Sequence, residues 1–158
     1  MKLHLTKFTD YAFRVLIYAA SLEQKQLVTI EETAKLFDVS RAHLKKVVLL
    51  LTRSGYLTAV RGRSGGFRLA RPADQINLGT IVRLTEPDFG MVDCFQPDNS
   101  CRITPACPLP SVINTALNRF LTTFDDYTLA DVMVSARHFE GPALPRYSTR
   151  GPNLVFPA

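Results

Sequence analysis

Three cysteines, Cys94, Cys101 and Cys107, fall within fourteen residues in a chain of 158. Their spacing is Cys-x6-Cys-x5-Cys, inside a stretch that also holds Pro87, Gly90, Pro97, Pro105, Pro108 and Pro110. Structural zinc sites favour tighter cysteine pairs, about two to four residues apart, that grip one ion. Spacings of six and five suit a larger object, an iron–sulfur cluster wrapped by a flexible loop. The alternative is three incidental thiols. Inert cysteines, however, are usually buried as small hydrophobes, not gathered in a Pro-rich loop. Three thiolates leave a fourth ligand open. Pro108, Leu109, Pro110 and Ser111 supply none, and His4, His43 and His138 are remote in sequence. A carboxylate from another element or another subunit is chemically acceptable, though harder and weaker than a thiolate. The loop has no histidine to activate a cysteine nucleophile, so the chain is not expected to be an enzyme.

A second chemistry is written in charge. Residues 39–73 contain Arg41, Lys45, Lys46, Arg53, Arg61, Arg63, Arg68 and Arg71 and no acidic residue. The rest of the chain holds 11 basic and 14 acidic residues, so the net charge of +5 is a local basic face on a mildly acidic body. Such a face can be merely solvated or can meet a protein. Its coincidence with the elements described next points to double-stranded DNA.

Those elements follow from periodicity. Apolar positions 8, 11, 12, 15, 16, 19 and 20 mark a helix over 8–22. Thr29 and Glu32 form a capping-box pattern opening a helix over 30–37. Ser40 can cap a third helix, with Leu44, Val47, Val48 and Leu51 inward, that ends at Ser54-Gly55. Two β-prone runs, 56–60 and 67–71, flank the turn Arg61-Gly-Arg-Ser-Gly-Gly66. Helix, helix, helix, hairpin is the winged helix-turn-helix order. A short helix over 78–86, the cysteine loop over 87–110, a longer helix over 111–126 and a last short helix over 128–133 complete the reading.

The fold expected is therefore mainly α: a winged helix-turn-helix over 1–75, then cluster loop and dimerisation helices over 76–137, then a flexible tail over 138–158. Ser40, Arg41, His43 and Lys45 lie in the first turns of the third helix, which enter the major groove. Lys46 and Arg53 are placed to meet phosphate. Gly65 and Gly66 let the wing turn tightly, and Arg61 and Arg63 at its tip reach phosphates or a narrow minor groove.

Composition sets the outer limits. Apolar residues at 46% and charged residues at 21% allow a packed core and exclude wholesale disorder. An odd, low cysteine count argues against a disulfide scaffold. The start of the chain lacks a signal-peptide pattern, and the longest apolar run, 15–20, is too short to span a bilayer. A soluble cytoplasmic protein with no membrane partner is expected.

Several segments together resemble the Rrf-type winged-helix iron–sulfur regulators. They are Leu5-Thr-Lys-Phe-Thr-Asp-Tyr-Ala12, Val60-Arg-Gly-Arg-Ser-Gly-Gly-Phe-Arg-Leu69, Ile81-Val-Arg-Leu-Thr-Glu86, Cys101-Arg-Ile-Thr-Pro-Ala-Cys107 and Asp126-Tyr-Thr-Leu-Ala-Asp131. The resemblance covers roughly 3–135 and runs most closely to the family's nitric-oxide-sensing repressors. It implies a homodimer, a pairing of helix 111–126 with its twin, and an iron–sulfur cluster in each subunit, 4Fe–4S ahead of 2Fe–2S. It also implies Cys94, Cys101 and Cys107 as ligands, with Asp10 of the partner subunit as the fourth. Read without the resemblance, Asp10 is an ordinary first-turn carboxylate. The family's cluster-assembly regulator carries a histidine three residues after its last cysteine, where this chain has Pro110. An iron-responsive member shares the loop too, so an iron- or redox-sensing regulator is the alternative to a nitric-oxide-switched repressor.

Overall fold

The computed structural model describes residues 4–22 and 26–141. Helix α1 (Lys7–Ser21) starts where the Thr6 side chain accepts the amide of Thr9. It buries Ala12, Val15, Leu16 and Ala19 on one face, as the expected stripe requires. Helix α2 (Ile30–Phe37) opens on a complete capping box between Thr29 and Glu32. It stops at Asp38, whose left-handed backbone (φ 53°, ψ 50°) lets the following Val39 amide reach the carbonyl of Ala34 at 3.1 Å. Helix α3 (Arg41–Arg53) is capped by Ser40 and turns Leu44, Val47, Val48 and Leu51 inward.

Strands β1 (Leu57–Val60) and β2 (Gly66–Leu69) pair antiparallel, with Leu57 opposite Leu69 and Val60 opposite Gly66. A third backbone partner was not visible in the sequence. Val28 exchanges two 2.8 Å hydrogen bonds with Phe67, tying the approach to α2 onto the outer edge of β2. A Cβ at position 66 would stand 2.5 Å from the Val28 carbonyl oxygen, so only glycine fits this crossing. Phe67 follows with 2% exposure, and burial of such a ring contributes about 1.5–3 kcal/mol.

Helix α4 (Leu78–Thr85) is capped by Asn77, and helix α5 (Leu109–Asp125) lies against it. Helix α5 begins two residues before the expected 111, because Pro110 sits in the first turn, where its missing N–H is not needed. The expected last helix is a 3₁₀ turn, Leu129–Val132. The core is continuous across the expected 75/76 boundary: Ile76, Leu78, Ile81 and Leu129 share it with Val15, Leu44 and Phe67. The stretch expected as tail from 138 has a packed residue at its second position. Phe139 meets Tyr18 and Phe37 edge-on, with ring centroids 5.0 and 6.2 Å away. The rest of that stretch, from 142, lies outside the described residues. Among the described residues no helix is long and apolar enough to cross a membrane.

Candidate nucleic-acid interface and cysteine loop

The start of α3 presents Arg41, Ala42, His43, Lys45 and Lys46 to solvent. Ser40 is committed to the helix terminus: its hydroxyl accepts the amide of His43 at 3.3 Å and lies 3.0 Å from Nδ1 of the same residue. His43 is thereby oriented at the exposed end of the helix. Arg41 donates from Nη1 to Oε2 of Glu31 on α2 at 2.8 Å, and Glu31 also meets Lys35 at 3.5 Å. The Arg41 hydrogen bond holds the Glu31 carboxyl below the ordinary carboxylate range.

Arg61 and Arg63 are exposed in the turn between β1 and β2, and Arg53 is exposed at the last turn of α3. Gly65 has an internal reason for its type, since a Cβ there would stand 2.3 Å from the Val60 carbonyl oxygen. Gly66 has the Val28 crossing. Both residues shape the wing that carries the arginines. Arg71, part of the same basic run, folds back instead. Its Nε donates to the Gly55 carbonyl at 3.0 Å, and its guanidinium sits 4.9 Å from the centroid of Tyr56.

The cysteine loop joins α4 to α5 through 3₁₀ turns Asp93–Phe95 and Thr104–Ala106. All three thiols are free; Cys101 is exposed, and Cys94 and Cys107 are half-buried. The Cys101 amide donates to Asn99 Oδ1 at 3.0 Å, and Asn99 Nδ2 donates to Thr104 Oγ1 at 2.9 Å. Hydrogen bonds to the sulfur from the Ile103 backbone first, then from the Thr104 side chain and backbone, push the Cys101 thiol down toward thiolate. Thiolate is the metal-binding form, so the donor set fits an iron–sulfur cluster in kind. The fold brings the cysteines to one loop but not to one point. Among the described residues, no three His, Cys, Asp or Glu side chains gather closely enough to hold a metal ion. Asp10 lies elsewhere, at the start of α1, paired with Arg14 at 2.8 Å.

A cluster of polar residues missed in the sequence links these regions. Glu86 follows α4 directly and leads into the cysteine loop. One of its carboxylate oxygens accepts the Thr6 amide at 2.8 Å, the Thr6 hydroxyl at 3.1 Å and the hydroxyl of fully buried Thr9. The first turn of α1 is thus fastened to the entrance of the loop. Tyr11, just past that turn, lies beside His43 of α3, with ring centroids 6.3 Å apart. Thr6-x-x-Thr9 reads in sequence as a local cap, but nothing in spacing pairs it with a carboxylate 80 residues away.

Helix α5 is held at its C-terminal end. Arg83 Nη2 meets Asp125 Oδ2 at 2.8 Å, Asn77 Nδ2 donates to the Asp125 carbonyl at 2.7 Å, and the Leu78 amide donates to the Tyr127 carbonyl at 3.0 Å. One face of the helix nearer its start is less covered, from Leu109 as far as Phe120. Leu109, Val112 and Phe120 are 52%, 62% and 39% exposed, and Ala116 is exposed with them.

The family model described as "Rrf2: Iron-dependent Transcriptional regulator" matches residues 5–135. The chain is 42% identical over 135 residues to the HTH-type transcriptional regulator NsrR of Bacillus licheniformis, covering 85% of this chain and 94% of that protein. Its fold is similar to that of T. potens IscR (TM-score 0.66, 23% identity, 84% of this chain and 87% of that one). It is also similar to the oxidized form of Staphylococcus aureus CymR (TM-score 0.66, 22% identity, 82% and 95%).

Proposed function

Because the chain belongs to the Rrf2 family of transcriptional regulators, we propose that it is a homodimeric repressor whose hold on double-stranded operator DNA is released by nitric oxide acting at the cysteine loop. The observation that carries this reading is the start of α1, from Thr6 to Tyr11. It touches the entrance of the cysteine loop through Glu86 and the recognition helix through Tyr11 and His43. A change in the loop would thus be felt at α3 through the start of α1.

Cys94, Cys101 and Cys107 would hold an iron–sulfur cluster, with the partner's Asp10 as fourth donor. When bound, the cluster supplies iron that reacts with nitric oxide. The rest of the work belongs to the chain. Glu86, Thr6 and Thr9 set where α1 begins, and Thr9 fixes the turn from which Asp10 projects. Arg14 offers Asp10 an ionic partner within its own helix. Tyr11 bears on His43. The uncovered α5 face, with Leu109, Val112, Ala116 and Phe120, is the surface for the second subunit. In a dimer the two α3 helices read half-sites about 34–36 Å apart, so a small shift of α1 and α3 changes the spacing that DNA demands. A tenfold loss of affinity needs only about 1.4 kcal/mol of difference between the two arrangements.

The test is anaerobic. Binding to DNA from the protein's own promoter region is measured before and after stoichiometric nitric oxide; the expected result is at least tenfold weaker binding, and unchanged affinity would sink the proposal. That the family is one of iron-dependent regulators favours a second reading in which iron supply is the signal. In that case chelation releases DNA and nitric oxide does not.

A further inference from the structure

Arg41 is the first residue of α3 and points from its exposed end. Among the described residues it is the one member of the basic stretch 39–73 with a carboxylate partner, Glu31. Only Nη1 of the guanidinium takes part in that contact, at 2.8 Å from Glu31 Oε2. The Arg41 side chain is 68% exposed, so its other N–H groups are open to solvent. Glu31 itself is well held. It lies in the first turn of α2, where the helix dipole favours an anion, behind the Thr29–Glu32 capping box and beside Lys35. Ile30, Glu31, Arg41, Ala42 and Lys45 together line an open concavity between the starts of α2 and α3.

An arginine that reads guanine must present two parallel N–H groups to O6 and N7. A free guanidinium on a long stem loses rotamer freedom to do so, and pinning one nitrogen removes part of that loss beforehand. A carboxylate at the mouth of a DNA-binding surface also repels phosphate, which disfavours non-specific contact. We propose that Glu31 is a positioning residue for base readout: it pins one edge of Arg41 so that the remaining N–H fork is aimed at a guanine. The inference rests on the DNA-binding reading above and adds to it a residue outside the basic stretch.

The test uses the full-length protein, three single variants, Glu31→Gln, Glu31→Ala and Arg41→Ala, and the double variant that combines Glu31→Gln with Arg41→Ala. Each selects from a pool of randomised duplexes, and affinities are then measured on the wild-type consensus, on the same duplex with one guanine replaced, and on a scrambled duplex. The expected wild-type preference for that guanine is about tenfold or more. Arg41→Ala loses it, and both Glu31 variants lose most of it while binding the scrambled duplex as well as wild type or better. Adding Arg41→Ala to Glu31→Gln costs little further discrimination. A loss of this ratio at unchanged thermal midpoint is not what a merely structural role produces. Retention of the full guanine preference by both Glu31 variants overturns the proposal. Enrichment of no sequence by the wild type overturns the DNA-binding reading itself and this inference with it.

Discussion

Cys101 combines exposure with hydrogen bonds that favour its thiolate, whereas Cys94 and Cys107 are half-buried. At neutral pH in cluster-free protein, iodoacetamide should therefore label Cys101 first, as followed by mass spectrometry of quenched time points. Equal labelling of all three would remove its special environment. Cys107→Ser should abolish visible cluster absorbance after anaerobic purification; full absorbance would take Cys107 out of the site. Arg41→Ala should weaken binding to the preferred duplex by about 1–3 kcal/mol relative to other sequences. These residues were legible because type and local spacing identify them. Glu31 and Glu86 were not, because their meaning lies in partners 10 and 80 residues away. Asp10 was visible only through a family motif.

At the scale of elements, three joints hold the fold together around the loop and the wing. Glu86→Ala would leave the buried Thr9 hydroxyl and the Thr6 amide without their acceptor, at about 1–3 kcal/mol for an unsatisfied buried group. Chemical denaturation should show that loss, and the signal-dependent change in DNA affinity should shrink with it. Gly66→Ala would press a methyl group against the Val28 carbonyl, a backbone atom that cannot swing aside. A destabilisation of about 1–3 kcal/mol is expected, with wing amides exchanging faster than those of α4. The joint between α4 and α5 has an acid limit. Arg83 holds the Asp125 carboxyl below its ordinary value, so the pairing favours folding above the carboxylate range and is lost as pH falls through the lowered value. Helix periods and caps gave these elements in advance. The Val28 bridge escaped because a single bridging residue has no period.

For the whole molecule, affinity for DNA should fall linearly with the logarithm of salt concentration, since each neutralised phosphate releases counterions. Removing Arg61 and Arg63 together should make that slope shallower by about two contacts. A flat salt response would point to a protein partner for the basic face. Phe120→Lys places charge on the uncovered side of α5 and should shift sedimentation toward the monomer without lowering helix content. The order of the winged helix was legible because its faces are amphipathic. The packing of Phe139 on Tyr18 and Phe37 was not, because lone aromatics after the last periodic segment carry no signal of where they land.

Helix α5 is pinned at Asp125 and leaves the cysteine loop two residues after Cys107. That makes it a lever with its fulcrum at one end. Its 17 residues span about 25 Å at about 1.5 Å per residue. A tilt of about 10° at the Arg83–Asp125 joint then swings Leu109 through about 4 Å by the same helix geometry. A metal–sulfur bond is about 2.3 Å long. Under the proposed function, the travel that would part the Cys107 sulfur from a metal would thus be met by a few degrees at the far end of the helix, and the same small angle is delivered to whatever rests along its apolar side.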